Sequence, residues 1–190
     1  MPGTNENTDS EYYFDQALRL STEPRLEEAI SYVSAALESN PYHLQSLVLA
    51  GDIYVLHYDD LGMNEDTACK MALDFYERAI HVERRLAEAW EGKARALVHL
   101  QRFGEALCAA EEGLKVLPMR IGIENDVIYT NIAESLFEDK VQALFNLGRR
   151  EEARKTLSEG LQYCPSSSYL SHLIDQFAPC VNDSQQNEAS

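Results

Sequence analysis

Along residues 87–118, AEAWEGKARALVHLQRFGEALCAAEEGLKVLP, apolar residues return every three or four positions, pause around QRFG and then resume. That spacing gathers apolar side chains on one face of a helix, so the stretch reads as two amphipathic helices with a turn marked by Gly104. The pattern recurs along the chain. Ala29 precedes Pro41 by twelve residues, Ala106 precedes Pro118 by twelve, and Ala153 precedes Pro165 by twelve. Sixteen residues before each of these alanines stands a large aromatic, namely Tyr13, Trp90 or Phe137. Four residues beyond the aromatic come Ala17, Ala94 or Val141, and three further on a leucine, Leu20, Leu97 or Leu144. A repeated helix-turn-helix unit in an all-α chain is the prediction.

These positions resemble the tetratricopeptide repeat (TPR) family, whose unit of about 34 residues runs W-x2-L-G-x2-Y, then A-x3-F, then P. Residues 87–118 match it best, with Ala106, Ala110 and Gly113 as the small residues that let helices approach closely. The resemblance covers residues 10–177 and implies a right-handed α-solenoid of about four helix-turn-helix units with a C-terminal capping helix. The expected units are 10–43, with Pro24 near the turn, 44–86, 87–120 and 121–167, followed by a cap over 168–178. No unit carries the full W, G, Y set, and two are lengthened.

The lengthening shows in the alanine spacing. Ala72 to Ala106 is 34 residues, whereas Ala29 to Ala72 is 43 and Ala106 to Ala153 is 47, excesses of nine and thirteen. In the second unit Leu47, Gly51 and Tyr54 carry the first-helix pattern and Ala72, Tyr76, Ala79 and Ile80 the second. The extra residues therefore fall on HYDDLGMNED, residues 57–66. Arg84 replaces the proline that ends the other units, so helix is expected to persist through HVERR. In the fourth unit Val127, Ile128, Ile132, Leu136 and Phe137 keep helical spacing, which predicts an early start to the first helix, near Glu124 or Asn125. After Pro165, the apolar residues Tyr169, Leu170, Leu173, Ile174 and Phe177 suit a helix that covers the last open face of a solenoid. Residues 1–9 and 179–190 are polar and read as a disordered arm and tail.

Charge narrows the partner. Sixteen Lys plus Arg against thirty-two Asp plus Glu give a formal net charge of −16, which repels nucleic acid and anionic lipid headgroups. The opening MPGTNENTDS lacks the basic and apolar regions of a signal peptide, and no apolar run is long enough to span a membrane, so no membrane insertion and a cytoplasmic location are expected. Cys69, Cys108, Cys164 and Cys180 lie far apart and read as reduced thiols, with a Cys164–Cys180 bridge as the leading exception.

Candidate chemistry is sparse. HYDDLGMNED crowds a histidine and four carboxylates together, but Asp59, Asp60, Glu65 and Asp66 miss the alternating ligand spacing of a calcium loop. It reads as a solvated connection with Asn64 or Asp66 capping the next helix. His43, His57, His81, His99 and His172 show no one-turn metal pair, and no nucleophile elbow, phosphate loop or zinc-protease motif is present. No catalytic residue, metal or cofactor is expected.

The resemblance supplies a surface instead. In the family, the second, fifth, ninth and twelfth residues of each unit's first helix line a concave groove. By register these are Glu11, Phe14, Leu18 and Ser21; Gln45, Val48, Asp52 and Val55; Glu88, Glu91, Arg95 and Val98; and Ser135, Glu138, Gln142 and Phe145. Five acids face one arginine, with apolar residues between them. Family members that clamp acidic chaperone tails use basic residues and asparagine where this chain has Phe14, Leu18, Val48 and Glu91. The expectation is thus a non-catalytic adaptor or scaffold whose groove takes a basic or amphipathic peptide of another protein. A chaperone or assembly factor for one apolar client is the alternative, and an enzymatic or ligand-sensing role the more distant one. Self-association is a further partner class.

Overall fold

The computed structural model describes residues 6–23, 25–117 and 127–177. All regular structure among them is helical: α1 (Glu6–Ser21), α2 (Leu26–Ser39), α3 (Leu44–Leu56), α4 (Glu65–Val82), α5 (Ala87–His99), α6 (Phe103–Val116), α7 (Val127–Asn146), α8 (Arg150–Tyr163) and α9 (Ser168–Phe177). Successive pairs form hairpins that stack in chain order, and α9 packs on α8 at the end. This is the expected all-α solenoid of helix-turn-helix units with a terminal helix.

Small residues set the closeness of the stacking. Ala17, Ala29, Ala36, Ala72, Ala94, Ala106 and Ala110 are fully buried. Tyr76 of α4, also fully buried, lies with its ring between Gly51 of α3 and Gly92 of α5, where a methyl group on either glycine would overlap it. Gly113 and Gly160 leave room in the same way for Leu136 with Trp90 and for Phe137 with Leu170. Trp90 packs on the core as expected, and its indole N–H donates to the Arg84 carbonyl at 2.8 Å.

The turn within unit three lies three residues earlier than Gly104 suggested, and unit four turns in the same way. Gln101 (φ 55°) and Gly148 (φ 75°) take the left-handed conformation after α5 and α7, while Gly104 is already inside α6. The following amides, of Arg102 and Arg149, then bond back to the carbonyls of Leu97 and Leu144 at 2.9 Å, satisfying helix-end acceptors. Arg25, Arg102 and Arg149 each stand at a second helix's N-terminus and grip the glutamate three residues on with two nitrogens, at 2.6 to 2.8 Å. Unit two substitutes a side-chain cap: Asn64 accepts from the amides of Asp66 (3.0 Å) and Thr67 (3.4 Å).

Three boundaries differ from expectation. Helix α1 begins at Glu6, inside the stretch read as a disordered arm. Helix α4 stops at Val82 rather than continuing through Arg85, because Glu83 adopts extended backbone and its side chain accepts from the Arg85 amide at 2.8 Å. The nine-residue excess is only partly loop. Helix α4 starts seven residues before Ala72, whereas α2, α6 and α8 start three before Ala29, Ala106 and Ala153, so one added helical turn takes up four residues. The expected start of α7 near Glu124, the turn at Pro118, the tail 179–190 and the Cys164–Cys180 pairing lie outside the described residues.

Candidate functional site: the concave face

The first helices α1, α3, α5 and α7 present the register positions, and the structure sorts them into three groups. Phe14, Leu18, Gln45, Val48, Asp52 and Glu88 come together with Leu44, Leu49 and Leu86 around one open depression of about 410 Å³. Leu18 is 46% exposed at its edge. Glu11 stands beside it on α1. Its carboxylate lies 3.3 Å from Nε2 of the buried His43, whose Nδ1 accepts from the Ser46 amide at 3.3 Å.

The second group is at the centre. Arg95 pairs with Glu91 one turn back on α5, and Glu91 is buried to 8% exposure rather than presented to the groove. Asp52 accepts from the Tyr76 hydroxyl at 2.7 Å. Burial pushes the Asp52 carboxyl up, against the pull of that bond and of Arg95. From α7 comes Asp139, 6% exposed, whose Oδ2 is buried with no hydrogen-bond partner. Its pKa is raised to about 8 by desolvation and, less, by Glu138, with Arg95 opposing. Arg95 is thus paired with Glu91 on its own helix and acts electrostatically on Asp52 and Asp139, which belong to the first helices on either side.

The third group lies further along. Glu138 is half-buried and already engaged, since the Tyr169 hydroxyl of α9 bonds to it and is itself pushed up to about 12. Gln142 and Phe145 are exposed, and the Arg150 guanidinium sits 5.5 Å from the Phe145 ring centroid. Val55 and Val98 do not line the groove. Val55 is 2% exposed, in a cluster with Cys69, Ala72, Tyr76 and Ala96, and Val98 belongs to the core shared with Ile132 and Ala133 of α7. In units two and three the twelfth position sinks, Val55 against Cys69 and Ala72 of the lengthened α4 and Val98 against Ile132 and Ala133 of the lengthened α7, whereas Phe145 at the same position of unit four stays exposed.

Register reasoning missed Asp139, although a signal was present. Ile132, Leu136, Asp139 and Ala143 fall at helical spacing, so this acid interrupts an apolar stripe. Tyr169, the second residue of the capping helix, continues the groove register in the same way.

HYDDLGMNED is a folded connection. His57 and Asp60 pair at 3.2 Å, Gly62 takes φ 63°, Leu61 packs on the α1–α2 core, and Glu65 bonds His99 of α5 at 2.7 Å. Among the described residues no three histidines, cysteines or acids converge as a metal site would require. No described helix is long and apolar enough to cross a membrane.

No protein-family model and no curated protein matches the sequence. A solved structure of PilF from Pseudomonas aeruginosa, reported for its functional characterization, is similar in fold. It aligns at TM-score 0.70 over 92% of this chain and 69% of that one, with 14% sequence identity. The chain has a TPR-like helical-repeat fold. At that identity the likeness speaks to the fold alone.

Proposed function

We propose that the chain is a non-catalytic adaptor whose concave face holds a basic, partly apolar segment of another protein. One observation carries this reading: Phe14, Leu18, Val48, Leu49 and Leu86 form an open apolar depression with Asp52 and Glu88 at its edge. Apolar side chains of a docked segment would fill the depression, while the acids favour lysine or arginine beside them. The net charge of −16 steers a cationic partner toward the molecule from a distance, an effect that salt screens.

Two variants test it in affinity capture from the native cytoplasm followed by titration of the partner recovered. Leu18→Asp changes a side chain already 46% exposed, so the fold should tolerate it while the depression loses its apolar lip. Partner affinity is expected to fall at least tenfold, with the melting temperature within a few degrees of wild type. Glu88→Lys should slow association and flatten its salt dependence. A partner that binds both variants like wild type moves the interface off the concave face.

A further inference from the structure

We infer that the outer side of the α1–α2 hairpin is a second docking surface, on which Tyr12, Tyr13 and Tyr32 stack the arginine side chains of an extended segment of a partner protein. It lies away from the depression and does not depend on what that groove holds.

Helix geometry places the three rings. Phe14 and Leu18 of α1 line the depression with residues of α3, and Ile30, Val33, Ser34 and Leu37 of α2 line the crevice against α3. Two residues along a helix turn through roughly 200°, so Tyr12 stands across α1 from Phe14, and Tyr32 stands across α2 from Ile30 and Ser34. Both therefore point away from α3. Tyr13 joins them, with its ring centroid 5.6 Å from that of Tyr12 and 6.3 Å from that of Tyr32. Tyr12 is 57% exposed and the other two are half-buried, so three contiguous rings reach the surface. Tyr32 also packs against the core of the hairpin, which holds its ring in place.

The surroundings select the occupant. Asp9 lies three residues before Tyr12 and four before Tyr13, and Asp15 lies three after Tyr12, so two exposed carboxylates share the face of α1 that carries the rings. Arg19, one turn beyond Asp15, bonds to Gln16 Oε1 at 2.9 Å, and Arg25 grips Glu28, the acid one turn before Tyr32. The platform is aromatic with anionic edges. A guanidinium offers a flat face to a tyrosine ring and paired N–H donors to a carboxylate, which an ammonium does not. Alternate side chains of an extended segment recur about every 6.8 Å, close to the two ring-to-ring steps, so arginines at every second position meet successive rings. Other occupants fit less well. The bases of a single-stranded nucleic acid also stack on tyrosine, but its phosphates would meet Asp9 and Asp15. A second copy would set two identical acidic faces together, in a chain whose formal net charge is −16.

The test uses the full chain and 12-residue serine-glycine peptides that carry arginine, lysine or glutamate at alternate positions. Wild type is expected to bind the arginine peptide at least about fivefold more tightly than the lysine peptide in calorimetric titration, and the glutamate peptide not at all. Tyr12→Ala changes an exposed side chain, so the melting temperature should stay within a few degrees of wild type while the arginine peptide weakens at least about fivefold. Tyr12→Phe keeps the ring face and should lose less than twofold. Asp9→Asn combined with Asp15→Asn should weaken the arginine peptide and flatten its salt dependence. Leu18→Ser, which alters the lip of the depression instead, should change its affinity less than twofold. If Tyr12→Ala binds like wild type, or the lysine and arginine peptides bind alike, attraction is to overall charge and the second surface is overturned, with the depression untouched. A loss on Leu18→Ser as large as on Tyr12→Ala puts the peptide in the depression, which overturns the second surface and supports the groove. Tighter binding of oligouridine than of the arginine peptide, or a dimer in sedimentation that Tyr12→Ala dissolves, overturns it in favour of nucleic acid or of a second copy.

Discussion

Asp139 shows most clearly how one buried carboxyl makes stability depend on pH. Its carboxyl titrates near pH 8 in the folded chain, against about 4 for an unfolded aspartate. Between those values the folded state keeps a proton that the unfolded state releases, so stability from this group falls as pH rises from about 4 to 8 and levels off above. Asp52, raised by the same desolvation, adds a slope of the same sign. The salt-bridged glutamates Glu28, Glu105 and Glu152 act oppositely, but only in acid, because their arginines hold them below the usual carboxylate range. Asp139→Asn should therefore match wild type in urea unfolding at pH 5 and exceed it at pH 9 by at least about 1 kcal/mol, the order expected for relieving a buried unmatched group. Parallel stability curves for the two proteins across that range would show that the carboxyl stays ionised and matched.

At the scale of elements, the repeat could be read from sequence because close packing is itself periodic: wherever two helices cross, Ala17, Ala94 and Ala106 must be small, and the spacing follows. What escaped was set by local competition. The turn before α6 depends on Gln101 taking positive φ, which glutamine does not advertise, and Gly104 was the more obvious breaker. The end of α4 depends on one glutamate bonding forward to Arg85. The insertion looked like pure spacer because its acids dominate, while Leu61 and the extra turn of α4 carry its packing. These particulars separate two deletions. Replacing Asp59 and Asp60 with one glycine should leave thermal unfolding nearly unchanged. Removing Asp59 to Glu65 also takes away Leu61, the Asn64 cap and the Glu65–His99 contact, and should cost on the order of 2 to 4 kcal/mol by denaturant titration. Equal stability of the two would return the whole segment to the status of a spacer.

The whole molecule is one chain of neighbours rather than one core. From α5 to α9 a single apolar cluster runs through Leu97, Leu107, Leu136, Leu144, Leu157 and Leu170. The α1–α2 hairpin keeps a separate cluster around Ala17, Leu20, Ala29 and Val33, sharing only Ala50 and Ile53 of α3 as its buried members from unit two. Between α2 and α3 an open crevice of about 230 Å³, edged by Ile30, Leu37, Tyr54 and Phe75, interrupts the packing. In a solenoid each unit is stabilised by its own hairpin and its neighbours, so a weak junction localises opening. The depression on the concave face straddles that junction, with Phe14 and Leu18 on one side and Val48 and Leu86 on the other. Amides of α1 and α2 should accordingly exchange at least tenfold faster than those in the middle of α5 and α7, in native-state hydrogen exchange. A segment bound across the depression should slow α1 and α2 selectively, because it ties the first hairpin to the second. Uniform protection in the free chain would mean that the α2–α3 junction is no weaker than the rest, and that the groove is rigid before its partner arrives.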